Sequence, residues 1–193
     1  MRVILASTSP RRKEILSYFS LPFEQHSPYF DENIVPFEGD PISYSKILSE
    51  GKAASLSQKY PDAVILGADT VVFREGVLFS KPESEREAFE MLQFLSGSWH
   101  SVFTSVTAQK DSKVFTEVAE TKVQFHDLSP LQIRKYHETF HCTDKAGGYA
   151  IQEGGSIIVK KIDGCFYNVM GLPIGATAKV LEAHKIDLWK FLR

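Results

Sequence analysis

The chain has 193 residues, of which 43% are hydrophobic and 24% charged, as expected for a globular protein with a substantial core. Its formal net charge of −2 gives no overall basic field, so no stable nucleic-acid complex is expected, and any anion site must be a local cluster of Lys and Arg. Two cysteines, no signal-peptide pattern and no apolar run of about 20 residues predict a cytoplasmic protein without membrane contact.

Strand and helix patterns alternate at first, and strands connected by hairpins become more frequent later. Strands are predicted at residues 3–6, 63–73, 77–79, 101–109, 113–118, 121–126, 156–162 and 165–169, and helices at 10–19, 41–59, 82–96, 130–140 and 174–184. Asp163-Gly164 is a strong two-residue hairpin signal between the last two strands. These patterns predict an α/β fold with a mixed sheet, in a single domain spanning 1–193.

The first predicted helix begins in an unusual way. Ser9 is a good N-cap and Pro10 a good first helical residue, which places Arg11 and Arg12 in the first turn. Two cations are disfavoured at the positive end of a helix dipole. Free backbone N–H groups, a hydroxyl and two guanidiniums would form a phosphate site there. A solvated arginine pair on an ordinary helix is the alternative.

A carboxylate interrupts an apolar strand at Asp69, where it is costly unless it is paired or binds a metal. A three-residue turn ending at Gly76 would pair Phe73 with Val77, and the same register would place Asp69 opposite Lys81. Asp69 could then hold Mg²⁺ or act as a base on water, while Lys81 holds a phosphate oxygen. A structural ion pair at the end of a sheet is the alternative.

A glycine-rich segment at residues 144–152 combines a charged pair, two glycines, an aromatic residue and an amide. Glycines permit close approach of a ligand to the backbone, and Gln152 offers both a donor and an acceptor for a nucleobase edge. The segment matches neither a P-loop nor a dinucleotide-binding fingerprint. A mobile surface loop with ordinary turn glycines is the alternative.

Taken together, LASTSPRR at 5–12, LGADTVV at 66–72, SKP at 80–82 and DKAGGYAIQ at 144–152 resemble the Maf family of nucleoside triphosphate pyrophosphatases, also called septum formation proteins. The resemblance runs nearly end to end and is greatest to the subgroup acting on dTTP and UTP. It implies a fold like that of inosine triphosphate pyrophosphatase, with an elongated mixed β-sheet flanked by helices and two lobes around a deep cleft.

The resemblance also implies roles for individual residues. Asp69 would be the proton acceptor, and Glu32 would lie near the metal and the attacking water, so that Glu32 and Asp69 hold a divalent cation, Mg²⁺ or Mn²⁺. Base selection would involve Thr70, Gln152 and either Arg11 or Arg12. Phosphate contacts are implied for Ser9, Arg11, Arg12, Lys52 and Lys81. A homodimer is implied by the resemblance alone.

The resulting hypothesis is hydrolysis of a nucleoside triphosphate between its α and β phosphates. This reaction would remove unwanted nucleotides from the pool, or would regulate nucleotide levels in connection with division arrest. A second hypothesis is a nucleotide- or nucleic-acid-binding regulator of cell division without significant turnover, which would not require Asp69 in a buried strand. A third is a phosphatase, which would release free phosphate rather than pyrophosphate.

Overall fold

A computed structural model describes residues 2–152 and 154–192. Its centre is a mixed seven-stranded sheet in the order β2-β1-β3-β5-β6-β7, with β4 paired to β3. The strands β2, β1 and β3 are parallel, and the remaining pairs are antiparallel. The strands are β1 Arg2–Ala6, β2 Phe23–His26, β3 Ala63–Arg74, β4 Val77–Phe79, β5 Trp99–Lys110, β6 Lys113–Phe125 and β7 Val159–Asp163. The expected mixed sheet is confirmed.

Helices cover the sheet, and none in the described part of the chain is long and apolar enough to cross a membrane. The α-helices are α1 Pro10–Leu16, α2 Pro41–Ser57, α3 Glu85–Leu95, α4 Pro130–Thr139, α5 Phe166–Met170 and α6 Ile174–Glu182. Short 3₁₀ turns are Glu32–Ile34, Ala146–Gly148, Gly155–Ile157 and Leu188–Phe191. The predicted N-cap of α1 is confirmed, since the Ser9 side chain accepts from the Arg12 N–H at 3.4 Å.

Two large apolar clusters lie toward opposite ends of the long strands β3 and β5. One contains Leu66 and Ala68 and packs against α1, α5 and α6, whereas the other contains Val72 and Val102 and packs against α3 and α4. Asp69 lies on β3 between the two clusters. The two clusters correspond to the expected lobes, and the strand segment between them is where a cleft can open.

Several local predictions were wrong. The strands predicted separately at 113–118 and 121–126 form the single strand β6, Lys113–Phe125. The turn between β3 and β4 has two residues, because Glu75 adopts a left-handed conformation (φ 50°) together with Gly76 (φ 82°). Phe73 therefore pairs with Leu78 rather than with Val77. The segment predicted as a strand at 165–169 forms helix α5, so Asp163-Gly164 connects a strand to a helix.

Helix α2 approaches strand β3 unusually closely at Gly67. A Cβ added at Gly67 would lie 2.3 Å from the Ser49 carbonyl oxygen and 2.9 Å from the Ala53 nitrogen, both backbone atoms of α2. Only a glycine permits this approach, which brings the side chains of α2 onto the polar centre of β3.

We expect Gly67→Ala to destabilise the protein by about 3 kcal/mol, because the helix must move away from the strand to accept the methyl group. Chemical denaturation measures this change. Gly175→Ala is the matched control, since the Gly175 position in α6 has open space around it and alanine favours a helix. Equal stability of the two variants would show that the close approach is unimportant.

Candidate active site

A cleft of about 870 Å³ opens between the two apolar clusters. Its walls come from the β1–α1 connection, α1, the segment around Glu32, α2, β3 and residues 144–152. The structure brings together in this cleft all of the side chains for which the sequence predicts a role: Ser9, Arg11, Arg12, Glu32, Lys52, Asp69, Thr70, Lys81 and Gln152.

Asp69 is a buried carboxylate on β3, only 4% exposed. Its Oδ1 accepts from Lys52 Nζ at 2.5 Å. Its Oδ2 is buried and has no hydrogen-bond donor within the described part of the chain. Burial raises the pKa of Asp69, and the positive charges of Lys52 and Arg12 oppose that rise. The carboxylate thus has one oxygen held by Lys52 and one buried oxygen without a hydrogen-bond donor in the described part of the chain.

Lys52 lies between two carboxylates, which corrects the pairing of Asp69 with Lys81. Helix α2 carries the buried Lys52 side chain, and its Nζ lies 3.0 Å from Glu32 Oε1 as well as against Asp69. Lys81 lies beyond the end of β4, exposed on the cleft wall. The two-residue turn shifts the register by one, and the close helix–strand contact supplies a different lysine.

Arg12 is a partly buried residue of the cleft wall that is held by three hydrogen bonds. Its Nε donates to the Gly171 carbonyl at 2.8 Å, one Nη to Thr70 Oγ1 at 3.2 Å and the other to Ser7 Oγ at 3.4 Å. Burial lowers the pKa of Arg12, while the charges of Asp69 and Glu32 oppose that decrease. The guanidinium is therefore fixed in orientation before any ligand binds.

Arg11 is held differently, across the mouth of the cleft. It donates to Asp144 Oδ2 at 2.9 Å, and Lys145 donates to the other oxygen of the same carboxylate at 2.7 Å. These ion pairs keep the pKa of Asp144 below its usual range despite partial burial. Two cations at the cleft entrance thus share one half-exposed carboxylate.

Thr70 is held by a chain of hydrogen bonds between hydroxyl and backbone groups, which the sequence did not reveal. Thr70 Oγ1 lies 2.9 Å from Thr104 Oγ1, and Thr104 donates to the Asn168 carbonyl at 2.9 Å. The fully buried Asn168 side chain donates to the Val102 carbonyl and to Thr121 Oγ1. Because residues 165–169 were expected to form a strand, no sequence signal connected Asn168 with this site.

The glycine-rich segment is packed, in contrast to the surface-loop alternative. Tyr149 and Ala150 are 4% and 3% exposed. Gly147 and Gly148 adopt positive φ angles, and a Cβ at Gly148 would lie 3.0 Å from the Ala88 carbonyl oxygen. The Gln152 side-chain nitrogen is buried and makes no hydrogen bond within residues 2–152 and 154–192. Gln152, a residue of the cleft lining, therefore carries an unused amide donor.

The acidic residues of the cleft suit a hard divalent cation. Glu32 and Asp69 provide carboxylate oxygens, and the unpartnered Oδ2 of Asp69 is the kind of ligand atom that such a cation satisfies. No group of three or more His, Cys, Asp or Glu within the described residues is placed to hold a metal. Two carboxylates are enough for Mg²⁺ when waters and substrate phosphates complete its coordination.

The fold and the cleft define an α/β protein whose cleft is lined, among the described residues, by five cationic and five acidic side chains. The family model described as "Maf-like protein" matches residues 2–184, and the chain belongs to this family.

Named relatives cover almost the whole chain. The dTTP/UTP pyrophosphatase of Chlamydia felis is 47% identical over 99% of this chain and 98% of its own length. That of Clostridium perfringens is 44% identical over 97% of this chain and 100% of its own length. The nucleoside triphosphate pyrophosphatase of Chlamydia muridarum is 42% identical over 99% of this chain and 98% of its own length. The solved structure of the Staphylococcus aureus Ham1 protein is similar with a TM-score of 0.43 and 15% identity, over 66% of this chain and 73% of that chain.

Proposed function

We propose that the protein is a nucleoside triphosphate pyrophosphatase that hydrolyses dTTP and UTP to the monophosphate and pyrophosphate. The observation that carries the proposal is the buried Asp69 carboxylate, which has one oxygen without a hydrogen-bond donor and lines a cleft that also carries five cationic side chains among the described residues. Those five are Arg11, Arg12, Lys52, Lys81 and Lys145. The names of the dTTP/UTP pyrophosphatases to which the chain is similar support the choice of substrate.

Asp69 is the residue suited to take the proton from the attacking water. Its Oδ1 accepts from Lys52, so Oδ2 is the oxygen left to accept a proton or to hold a cation. Burial raises the basicity of this oxygen, because the ionised form is poorly solvated. The positive charge of Lys52 opposes this rise in the pKa of Asp69.

The arginines and Lys81 bind the triphosphate and neutralise the charge that develops on its oxygens. Arg12 is fixed by three hydrogen bonds and therefore loses little conformational freedom when it contacts substrate. Arg11 and the exposed Lys81 lie at more open positions of the cleft. Ser9 lies at the start of α1, whose first-turn N–H groups are also suited to phosphate oxygens.

Glu32 and Asp69 would hold a divalent cation, Mg²⁺ or Mn²⁺. When bound, such a cation polarises a phosphate oxygen and lowers the pKa of a water molecule. Glu32 is half-exposed and lines the cleft, so its carboxylate is accessible to a ligand there. Thr70 and Gln152 are the polar groups that we assign to recognition of the base.

Product analysis tests this proposal. The purified protein is incubated with dTTP, UTP, CTP, ATP and GTP, with Mg²⁺, with Mn²⁺ or with EDTA, and pyrophosphate and orthophosphate are measured separately. We expect one pyrophosphate per monophosphate from dTTP and UTP, and at least about a hundredfold loss of rate in EDTA. Release of orthophosphate would instead indicate a phosphatase, and tight binding without product would indicate a regulator.

A further inference from the structure

We propose that Tyr136 positions Gln152 and thereby determines which nucleobase the cleft accepts, although Tyr136 does not line the cleft. The proposal rests on the proposed function and concerns the same site. Residues 148–152, the segment that leads into Gln152, are held by contacts from outside the cleft.

The Tyr136 hydroxyl satisfies both backbone groups of one residue. It donates to the Ala150 carbonyl at 3.0 Å and accepts from the Ala150 N–H at 3.1 Å. Both Tyr136 and Ala150 are buried, at 4% and 3% exposure. In place of a neighbouring strand, a single hydroxyl therefore fixes the peptide orientation two residues before Gln152.

Neighbouring contacts fix the rest of the segment. His137, also on α4, donates through Nε2 to the Gly148 carbonyl at 2.8 Å. The buried His100 lies 2.9 Å from the Tyr149 hydroxyl. On the far side, the Gly155 N–H donates to the Gln152 carbonyl at 2.9 Å. The path of the backbone into Gln152 is thus fixed from outside the cleft, mainly by helix α4.

This arrangement explains how a flexible amide can discriminate between bases. Gln152 lines the cleft and is partly exposed, but its side-chain nitrogen is buried and has no partner in the described part of the chain, so the orientation of its amide decides whether that donor meets an acceptor on the base. A site built around a fixed polar group rejects ligands that leave the group unpaired. If the Ala150 peptide rotates, Gln152 moves with it and this rejection weakens.

The test is Tyr136→Phe, which keeps the ring and its packing on Phe140, 5.1 Å between centroids, but removes both hydrogen bonds to Ala150. We measure kcat and KM for UTP and CTP. The ratio of the two kcat/KM values should fall by about tenfold or more, while kcat for UTP should fall by less than about threefold. A purely structural role predicts equal losses for both substrates, and that result would overturn the proposal.

A double-mutant cycle with Gln152→Ala identifies the residue through which Tyr136 acts. In the Gln152→Ala background, Tyr136→Phe should change the UTP/CTP ratio by less than about twofold, because the discriminating amide is already absent. An undiminished effect in that background would contradict the proposal. Tyr18→Phe is the matched control, since its hydroxyl makes an exposed contact with Glu14 on α1, remote from the segment.

Two further measurements distinguish a failure of the role of Tyr136 from a failure of the proposed function. His137→Ala removes the donor to Gly148 from the same helix and should lower the ratio in the same direction, even if Tyr136→Phe folds poorly. Dissociation constants of the α,β-methylene analogues of UTP and CTP report base discrimination without turnover. A wild-type protein that releases no pyrophosphate overturns the proposed function, whereas an active wild type with an unchanged ratio in both variants overturns only the role of Tyr136.

Discussion

Asp69→Asn is expected to lower kcat for pyrophosphate release from dTTP and UTP by about a thousandfold, because the amide cannot accept a proton from water. The fold should survive the change. The asparagine oxygen can still accept from Lys52, and Lys52 keeps its ion pair with Glu32 at 3.0 Å. Steady-state assays, with circular dichroism as a check of folding, measure the effect.

The pH dependence of the hydrolysis rate is a second test of Asp69 as the base. Burial raises the pKa of Asp69, and the base works only when it is ionised, so the wild-type rate should increase with pH through that raised pKa. The variant should lose this dependence. Asp111→Asn is the matched control, because Asp111 is an exposed turn residue at φ 55°, a conformation that asparagine tolerates well. Wild-type activity in a folded Asp69→Asn protein would refute the assignment of the base.

Lys52→Met is expected to have the largest combined effect on stability and activity. It leaves the Asp69 carboxylate buried without its cation, and removing one partner of a buried pair costs about 3 kcal/mol. The pKa of Asp69 should rise further, since the charge of Lys52 is the main influence that lowers it. The activity profile should therefore move to higher pH, with a loss of rate of about a hundredfold near neutrality.

Denaturation at two pH values checks the physical cause. A folded-state pKa above the unfolded value favours folding at low pH, and this contribution is lost as the pH rises through the folded-state pKa. The destabilisation by Lys52→Met should therefore be larger at pH 8 than at pH 5. Lys46→Met is the control, because Lys46 is half-exposed on the same helix and its nearest carboxylate contact is 3.9 Å away, at Glu50. A pH-independent loss of stability would indicate lost packing rather than lost charge.

Local patterns predicted most of the secondary structure because they depend on neighbouring residues. The Ser9-Pro10 start of α1, the Asp40-Pro41 start of α2 and the capping box at Ser129 all lie where expected. Strand β4 was located correctly, but its register was not. A non-glycine residue in a left-handed turn, Glu75, cannot be distinguished from an ordinary residue by sequence pattern alone.

The site was predicted as a set of residues, but its internal pairing was not. The side chains of Glu32, Lys52 and Asp69 were all singled out, yet the ion pairs that join them depend on how closely α2 packs on β3. Gly67 permits that approach, and its small size is a signal that sequence analysis could have used. Asn168 gave no comparable signal, since its role depends on strand β7 ending at Asp163 and helix α5 beginning at Phe166.

The sequence by itself determined the alternation of elements, the helix caps, the isolated carboxylate in an apolar strand and the two arginines at a helix start. These follow from short-range sterics, hydrogen bonding and the cost of burying a charge. Only the tertiary structure decided that Lys52 rather than Lys81 pairs with Asp69, that one oxygen of Asp69 remains free, and that Tyr136 holds the segment before Gln152. Such contacts join residues distant in sequence, and they depend on ångström-scale packing that no local pattern encodes.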